Sequence, residues 1–202
     1  MAADTNATPI TAENLTDNDS NDNKFLSFRL DREEYGIEIL RVREIIGLLD
    51  ITPLPQTPEY VKGVVNLRGK IIPVIELRTK FGMPSIEYTE ETCIIVVEVT
   101  DPDGLEQFQM GVVVDIVSEV TDIDKSQIEP PPRFGCQLNT DFILGMGKVK
   151  KKVIILLDID KVLTQEDFAG LSQITADPDA PIAGAPPSEE TRDATPETKA
   201  AA

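Results

Sequence analysis

Carboxylates are the side chains of this sequence that could do chemistry, because the chain contains no histidine. They stand in or beside short apolar runs, as Glu44, Glu76, Glu98, Glu119 and Asp158. General acid–base catalysis would need two of them in one cleft, whereas alternating strands ordinarily turn such residues toward solvent. The missing histidine also excludes a Ser-His-Asp or Cys-His nucleophile and a histidine-ligated metal. We therefore expect no enzyme, no cofactor and no metal site.

The cysteines and the charge narrow the class further. Cys93 and Cys136 are far apart and form no Cys-x-x-Cys motif, which favours a reducing cytoplasm. A formal net charge of −17 over 202 residues argues against nucleic acid or an anionic membrane surface as a partner. No apolar run approaches the ~18 residues that cross a membrane. The sequence therefore predicts a cytoplasmic protein whose partners are other proteins.

Short Val- and Ile-rich runs with a period of two fill the middle of the chain, such as "CIIVVEV" (93–99) and "KKKVIILLDI" (150–159). Runs of this kind between turn residues are typical of small β sandwiches or barrels. Residues 1–23 and 175–202 are acidic and poor in large apolar side chains, so we expect both tails to be disordered. A mostly β core of about 150 residues remains between them.

Helical signals are few. One is a turn that Thr57 and Pro58 would begin and Gly63 would end. A second is the turn in "ELRTKFG" (76–82), which closes on a glycine. The third is a C-terminal helix at about 164–174, capped by a threonine with an acid three residues on.

An internal repeat organises the strands. With an offset of 82 residues, "TPEYVKGVVNLRGKIIPVIEL" (57–77) aligns without a gap with "NTDFILGMGKVKKKVIILLDI" (139–159). With an offset of 75, "YGIEILRVREII" (35–46) aligns with "MGVVVDIVSEVT" (110–121), and the difference falls in Pro-rich bends where insertions are tolerated. The core is therefore predicted to be a duplicated unit of about five strands, and each unit can curl into a small barrel.

The two repeats differ most at one turn. Asn-Leu-Arg-Gly at 66–69 is answered by Lys-Val-Lys-Lys at 148–151. Gly69 can take the positive φ of a tight turn, and Arg68 beside it offers five fixed donors to a carboxylate or to backbone carbonyls. This turn is predicted to be specialised for a partner, whereas the strands on either side belong to the fold.

These residues resemble the CheW chemotaxis coupling proteins. The resemblance rests on the motifs YGI, V-x-E-I, KGV, NLRG and P-V-I-x-L, in order, between residue 24 and about 170. It implies a mostly β fold of two packed five-stranded SH3-like barrels, with short helices and disordered acidic termini. The implied CheW-like domain covers 24–172, with a first barrel at about 24–90 and a second at about 91–165, and it leaves room for strands to be exchanged between them.

The resemblance also implies a function and partners. It indicates a non-catalytic adapter that joins the cytoplasmic tip of a methyl-accepting chemoreceptor to the regulatory domain of the CheA histidine kinase. Such a chain would be a monomer in isolation, cytoplasmic, recruited to membrane-associated receptor arrays and not itself inserted in the membrane. The alternative is an SH3-like binding module of another histidine-kinase array or of a kinase regulatory region.

Carried over position by position, the resemblance implies a set of contact residues. Those around the second strand and the first hairpin are Ile39, Val42, Glu44, Gly63, Asn66 and Arg68. Cys93, Gly111 and Val120 match further contact positions. Two readings of Arg68 stay open: it forms an ion pair with Glu44 that fixes the hairpin, or both side chains are solvated and Arg68 contacts a partner directly.

Overall fold

The computed structural model describes residues 23–100, 104, 107–131, 140–149 and 152–163. The described residues form eleven strands, two α-helices of one turn each, and two 3₁₀ helices at Ile39–Arg41 and Lys125–Gln127. The strands are β1 (Lys24–Leu30), β2 (Glu33–Glu38), β3 (Val42–Gly47), β4 (Val61–Leu67), β5 (Lys70–Glu76), β6 (Cys93–Thr100), β7 (Gln107–Val114), β8 (Ile116–Asp122), β9 (Ile128–Glu129), β10 (Ile143–Val149) and β11 (Lys152–Leu157). The helices are α1 (Leu77–Lys80) and α2 (Ile159–Val162).

Two sheets contain these strands, in the orders β3-β6-β7-β5-β4 and β8-β1-β2-β11-β10-β9. In the first sheet, the chain leaving β3 bends round so that Thr52 pairs with Val64 of β4, through two backbone hydrogen bonds of 2.9 Å. In the second sheet, β9 follows β8 and pairs with β10 in the same way. Counting each bent strand once, both sheets have five strands that curl back on themselves. The predicted mostly β fold of two small five-stranded units is confirmed.

Each sheet combines strands from both repeats. β1 and β2 lie with β8, β10 and β11, whereas β6 and β7 lie with β3, β4 and β5. The joining pairs are parallel: β2 runs beside β11, and β5 runs beside β7. The repeats have therefore exchanged their first two strands reciprocally, and a boundary near residue 90 divides the two repeats without dividing the two sheets.

The repeat seen in the sequence is a structural repeat. β4 and β10 begin 82 residues apart, as do α1 and α2. Both hairpins have an irregular register at the same place, between Val61 and Gly63 in one and between Ile143 and Gly145 in the other. Equivalent residues of the two hairpins thus follow the same backbone path, and their side chains can be compared directly.

The largest apolar cluster contains residues of both sheets, such as Phe28 of β1 and Ile95 of β6, each with no exposed surface. A smaller cluster lies within the first sheet around Val74, and another lies within the second sheet around Leu156. The two sheets therefore share their main core, and each sheet has apolar side chains on both faces.

The predicted helical signals have different outcomes. α1 forms in "ELRTKFG" and is followed by Gly82 at φ +71°. The helix predicted after Thr57 is wrong: Thr57 Oγ1 donates to the carbonyl of Leu54 at 3.0 Å, and the chain passes through one turn into β4. Gly63 belongs to that strand and does not end a helix. The predicted C-terminal helix and both predicted disordered tails lie outside the described residues.

Candidate functional site

The tip of the β4–β5 hairpin is a two-residue turn made by Arg68 and Gly69, with φ of +53° and +87°. Positive φ at both central residues is the pattern of a type I′ turn, whose twist matches that of the flanking strands. The side chain of Asn66 supports the turn, because its Oδ1 accepts a 2.8 Å hydrogen bond from the backbone N–H of Gly69. The backbone that carries the guanidinium is therefore held in one geometry.

Arg68 forms an ion pair with Glu44, with 2.9 Å between Nη2 and Oε2. Glu44 lies on β3, and β3 and β4 are the two ends of the sheet order, so the pair joins the hairpin tip to the opposite edge strand. The Arg68 side chain is 79% exposed and that of Glu44 is 25% exposed. Exposed pairs contribute about 0–1 kcal/mol, so this one orients the tip more than it stabilises the fold. Of the two readings left open, the pairing is the one observed.

Three of the predicted contact residues, Glu44, Asn66 and Arg68, thus lie together on the surface. We call these three residues the tip–edge surface. Their side chains comprise one carboxylate, one amide and one guanidinium, and the guanidinium is the most exposed of the three charged or ionised groups paired there. Such a set can accept and donate hydrogen bonds to another protein, and it contains no group placed to act as a nucleophile.

Other predicted contact residues are inside the fold. Ile39 is 6% exposed and belongs to the shared core, and Val42 is half-buried against that core. Gly63 has φ +139°, and a Cβ there would lie 2.0 Å from the carbonyl oxygen of Thr52. At Gly111, a Cβ would lie 2.9 Å from Cγ2 of Ile94. These positions shape the backbone under the tip–edge surface, and they present little side chain to a partner.

The remaining predicted residues lie apart from the tip. Val120 is 42% exposed on β8, an outer strand of the second sheet. Cys93 is half-buried on β6, where it pairs with Gly47 of β3. Burial raises the pKa of the Cys93 thiol, which keeps it protonated at neutral pH and unreactive. Cys136 lies outside the described residues.

The sequence reasoning missed charged and apolar residues on the same edge. Arg43 is bound by both carboxylate oxygens of Glu98, at 3.1 Å from Nε and 2.5 Å from Nη2. Leu48 and Leu49 follow β3 directly and are 36% and 41% exposed. The available signal was the pair of leucines after Gly47, where the alternation of the strand stops.

Glu76 is the one carboxylate of the original candidates that is deeply buried, with 1% of its surface exposed. It bonds to Lys62 at 2.9 Å and to the hydroxyl of Thr79. Burial by itself would raise the pKa of this carboxyl, but the hydrogen bonds and the lysine charge together lower it. Burial and the Glu76 charge raise the pKa of Tyr88 to about 12. Neither group can exchange a proton near neutral pH, so the cluster anchors structure.

Two further findings concern metals and membranes. Within the described ranges, no group of three or more histidine, cysteine, aspartate or glutamate side chains is arranged to hold a metal ion. In the same part of the chain, no helix has the length and apolar character needed to cross a membrane.

Comparisons with known proteins agree with this geometry. Residues 24–167 match the family described as CheW-like domain. The chemotaxis protein CheW of Klebsiella aerogenes is 42% identical over 146 residues, which cover 72% of this chain and 84% of that protein. The CheW of Rhizobium meliloti is 31% identical over 144 residues, covering 71% and 89%. The solved structure of the scaffolding protein TtCheW from Thermoanaerobacter tengcongensis has a TM-score of 0.63 and 35% identity, covering 72% of this chain and 96% of that one. This chain belongs to the CheW family.

Proposed function

We propose that this chain is a non-catalytic chemotaxis scaffold that couples the cytoplasmic tip of a chemoreceptor to a CheA-type histidine kinase. Its relatives are named chemotaxis protein CheW, and the similar solved structure is named a scaffolding protein. The protein would work in the cytoplasm, recruited to receptor arrays at the membrane through its partners. Its part in signalling would be to bind, without chemistry of its own.

The tip–edge surface is the observation that carries the proposal. Arg68 is fixed at its backbone by the turn and at its head by Glu44, yet most of the side chain faces solvent. A guanidinium held in this way loses little freedom when a second protein binds its remaining donors. A carboxylate or a row of backbone carbonyls is the chemistry that fits it.

Coupling by such a body has a simple physical basis. When one rigid protein contacts two partners, each partner raises the effective concentration of the other. A signal passes only if the contacts differ between states of the receptor or of the kinase. The shared core between the two sheets makes the scaffold rigid enough to relate the two contacts.

The proposal is tested by mixing the full chain with a receptor cytoplasmic fragment and a CheA-type kinase, and measuring both co-precipitation and kinase activation. We expect Arg68→Glu to abolish coupling, because it places two carboxylates side by side at the tip. The swap Arg68→Glu with Glu44→Arg restores the ion pair and is expected to recover part of the activity. Failure of the unmodified chain to bind either partner would overturn the proposal.

The second hairpin supplies a matched control. Lys148 occupies the position equivalent to Asn66, is 61% exposed, and pairs with Glu129 at 2.7 Å. Lys148→Glu makes the same reversal of charge at an exposed ion pair of the other hairpin. It should leave coupling close to that of the unmodified chain; an equal loss would show that general charge, and not the tip–edge surface, is responsible.

A further inference from the structure

The exchange of strands raises the question of what selects it. β5 and β11 are equivalent strands, and so are β2 and β7, yet β5 pairs with β7 and β11 pairs with β2. The apolar patterns of the two repeats are alike, so the core offers little discrimination between this pairing and the alternative, in which each repeat pairs its own strands. A determinant outside the core is needed.

An ion pair lies at the end of each parallel pair of strands. Beyond β5 and β7, Arg78 of α1 contacts Asp115 of the connection to β8, with 2.5 Å between Nη1 and Oδ2. The guanidinium is buried, with 5% of the side chain exposed, and Asp31 lies 3.9 Å away on its other side. The carboxylate also accepts a 2.7 Å hydrogen bond from the backbone N–H of Asp31.

The second ion pair occupies the equivalent place with its charges reversed. Beyond β11 and β2, Asp160 of α2 contacts Arg41 of the connection to β3, with 2.5 Å between Oδ2 and Nη2. The other carboxylate oxygen accepts a 2.8 Å hydrogen bond from the backbone N–H of Thr100. Asp160 and Arg78 are 82 residues apart and are therefore the same position of the two repeats.

The reversal matters because the two connections are specific to their helices. If each repeat paired its own strands in the same register, Arg78 would face Arg41, and Asp160 would face Asp115. Both contacts would then join like charges at sites where water is largely excluded, which is costly. The observed exchange joins opposite charges at both places.

We propose that these two ion pairs of opposite polarity, Arg78–Asp115 and Asp160–Arg41, select the strand-exchanged topology over pairing within each repeat. The attraction stabilises the exchanged form, and the repulsion disfavours its competitor, as in other systems where specificity needs an unfavourable contact in the wrong state. The pairs thus act as a topological code that the apolar strands lack.

The test exchanges the charges of the two helices. The helix-swap variant carries Arg78→Asp and Asp160→Arg, so that like charges meet in the exchanged form and opposite charges meet within each repeat. The full-swap variant adds Arg41→Asp and Asp115→Arg, which restores attraction in the exchanged form. Both variants keep the net charge of the chain. Each is refolded from urea as the full chain and examined by NMR for cross-strand contacts between Ile75 and Val112 and between Leu157 and Ile37.

We expect the helix-swap variant to contain roughly tenfold less of the exchanged form, or to fail to fold, and the full-swap variant to recover it. Native contacts at the native yield in the helix-swap variant would overturn the proposal, because the core alone would then specify the topology. Failure of both variants would overturn it too, because the identity of the residues, and not their polarity, would be what the fold requires.

Discussion

The β4–β5 and β10–β11 hairpins have the same backbone path and very different surroundings. Both have the same irregular register and both end in a one-turn helix. The first carries a guanidinium braced across its sheet, whereas the equivalent stretch of the second carries lysines, of which Lys148 and Lys152 pair locally with Glu129 and Glu34. The duplication preserved what the fold needs, and the difference at the tips marks what a partner needs.

The largest contrast between the hairpins is expected at their equivalent glycines. Gly63→Ala should destabilise the protein by roughly 3 kcal/mol or more, because it combines a strained φ with a Cβ 2.0 Å from the carbonyl oxygen of Thr52. Gly145→Ala should cost less, since φ is not positive there and the closest atom, at 2.5 Å, is a side-chain carbon of Ile128. Urea unfolding followed by circular dichroism compares the two. Equal losses would mean that the hairpins tolerate the change alike.

A smaller contrast is expected where the hairpins end, at Glu76 and Asp158. Glu76→Gln should lower the free energy of unfolding by roughly 1–3 kcal/mol at pH 7, because it weakens the bonds of a buried carboxylate to Lys62 and Thr79. Asp158→Asn should have less effect, since its partner Lys161 is exposed. The same urea experiment measures both, and a larger loss for Asp158→Asn would contradict the assignment.

The pH dependence of Glu76→Gln tests the same carboxylate. The pKa of Glu76 is lowered by folding, so its contribution is complete above the ordinary value of 4.5 and is lost as the pH falls through the folded value. Between pH 7 and pH 3, the unmodified protein should therefore lose more stability than Glu76→Gln. Parallel pH profiles would show that the carboxylate is not held in its charged form by folding.

The smallest effect on stability is expected at the tips themselves. Arg68→Ala and Lys148→Ala should each change the free energy of unfolding by less than about 1 kcal/mol, because both ion pairs are exposed. Only Arg68→Ala should weaken coupling in the co-precipitation assay. If Arg68→Ala unfolded as readily as Gly63→Ala, loss of coupling would report on the fold, and the contrast between the tips would lose its functional meaning.

The parts of the structure that could be predicted from sequence are those fixed locally. Alternation gave the strands, the offset of 82 residues gave the equivalent hairpins, and Gly69 beside Arg68 gave the turn. α2 was missed although it lies 82 residues after α1, because its four residues show no periodicity of their own. The burial of Ile39 was also hidden, since a 3₁₀ helix interrupts the period of two there.

The exchange of strands could not be derived from patterns. Two equivalent strands predict the same partner, and the choice between repeats depends on contacts between residues far apart in sequence, such as Arg41 and Asp160. The tip–edge surface was within reach because the family resemblance named its members. Its geometry was not, because the approach of Glu44 to Arg68 requires the chain after β3 to bend round to β4.

The exchange has a consequence for how the protein is made. The strands of the first sheet, β3 to β7, leave the ribosome as one continuous stretch ending at Val114. β2 must wait for β11, which is complete only at Leu157, 119 residues after Glu38. At about 5–20 residues per second, that delay is roughly 6–24 s. During that time Phe25, Leu26 and Phe28, which are buried in the finished protein, lack their partners, so the nascent chain is a natural client for chaperones that hold apolar segments.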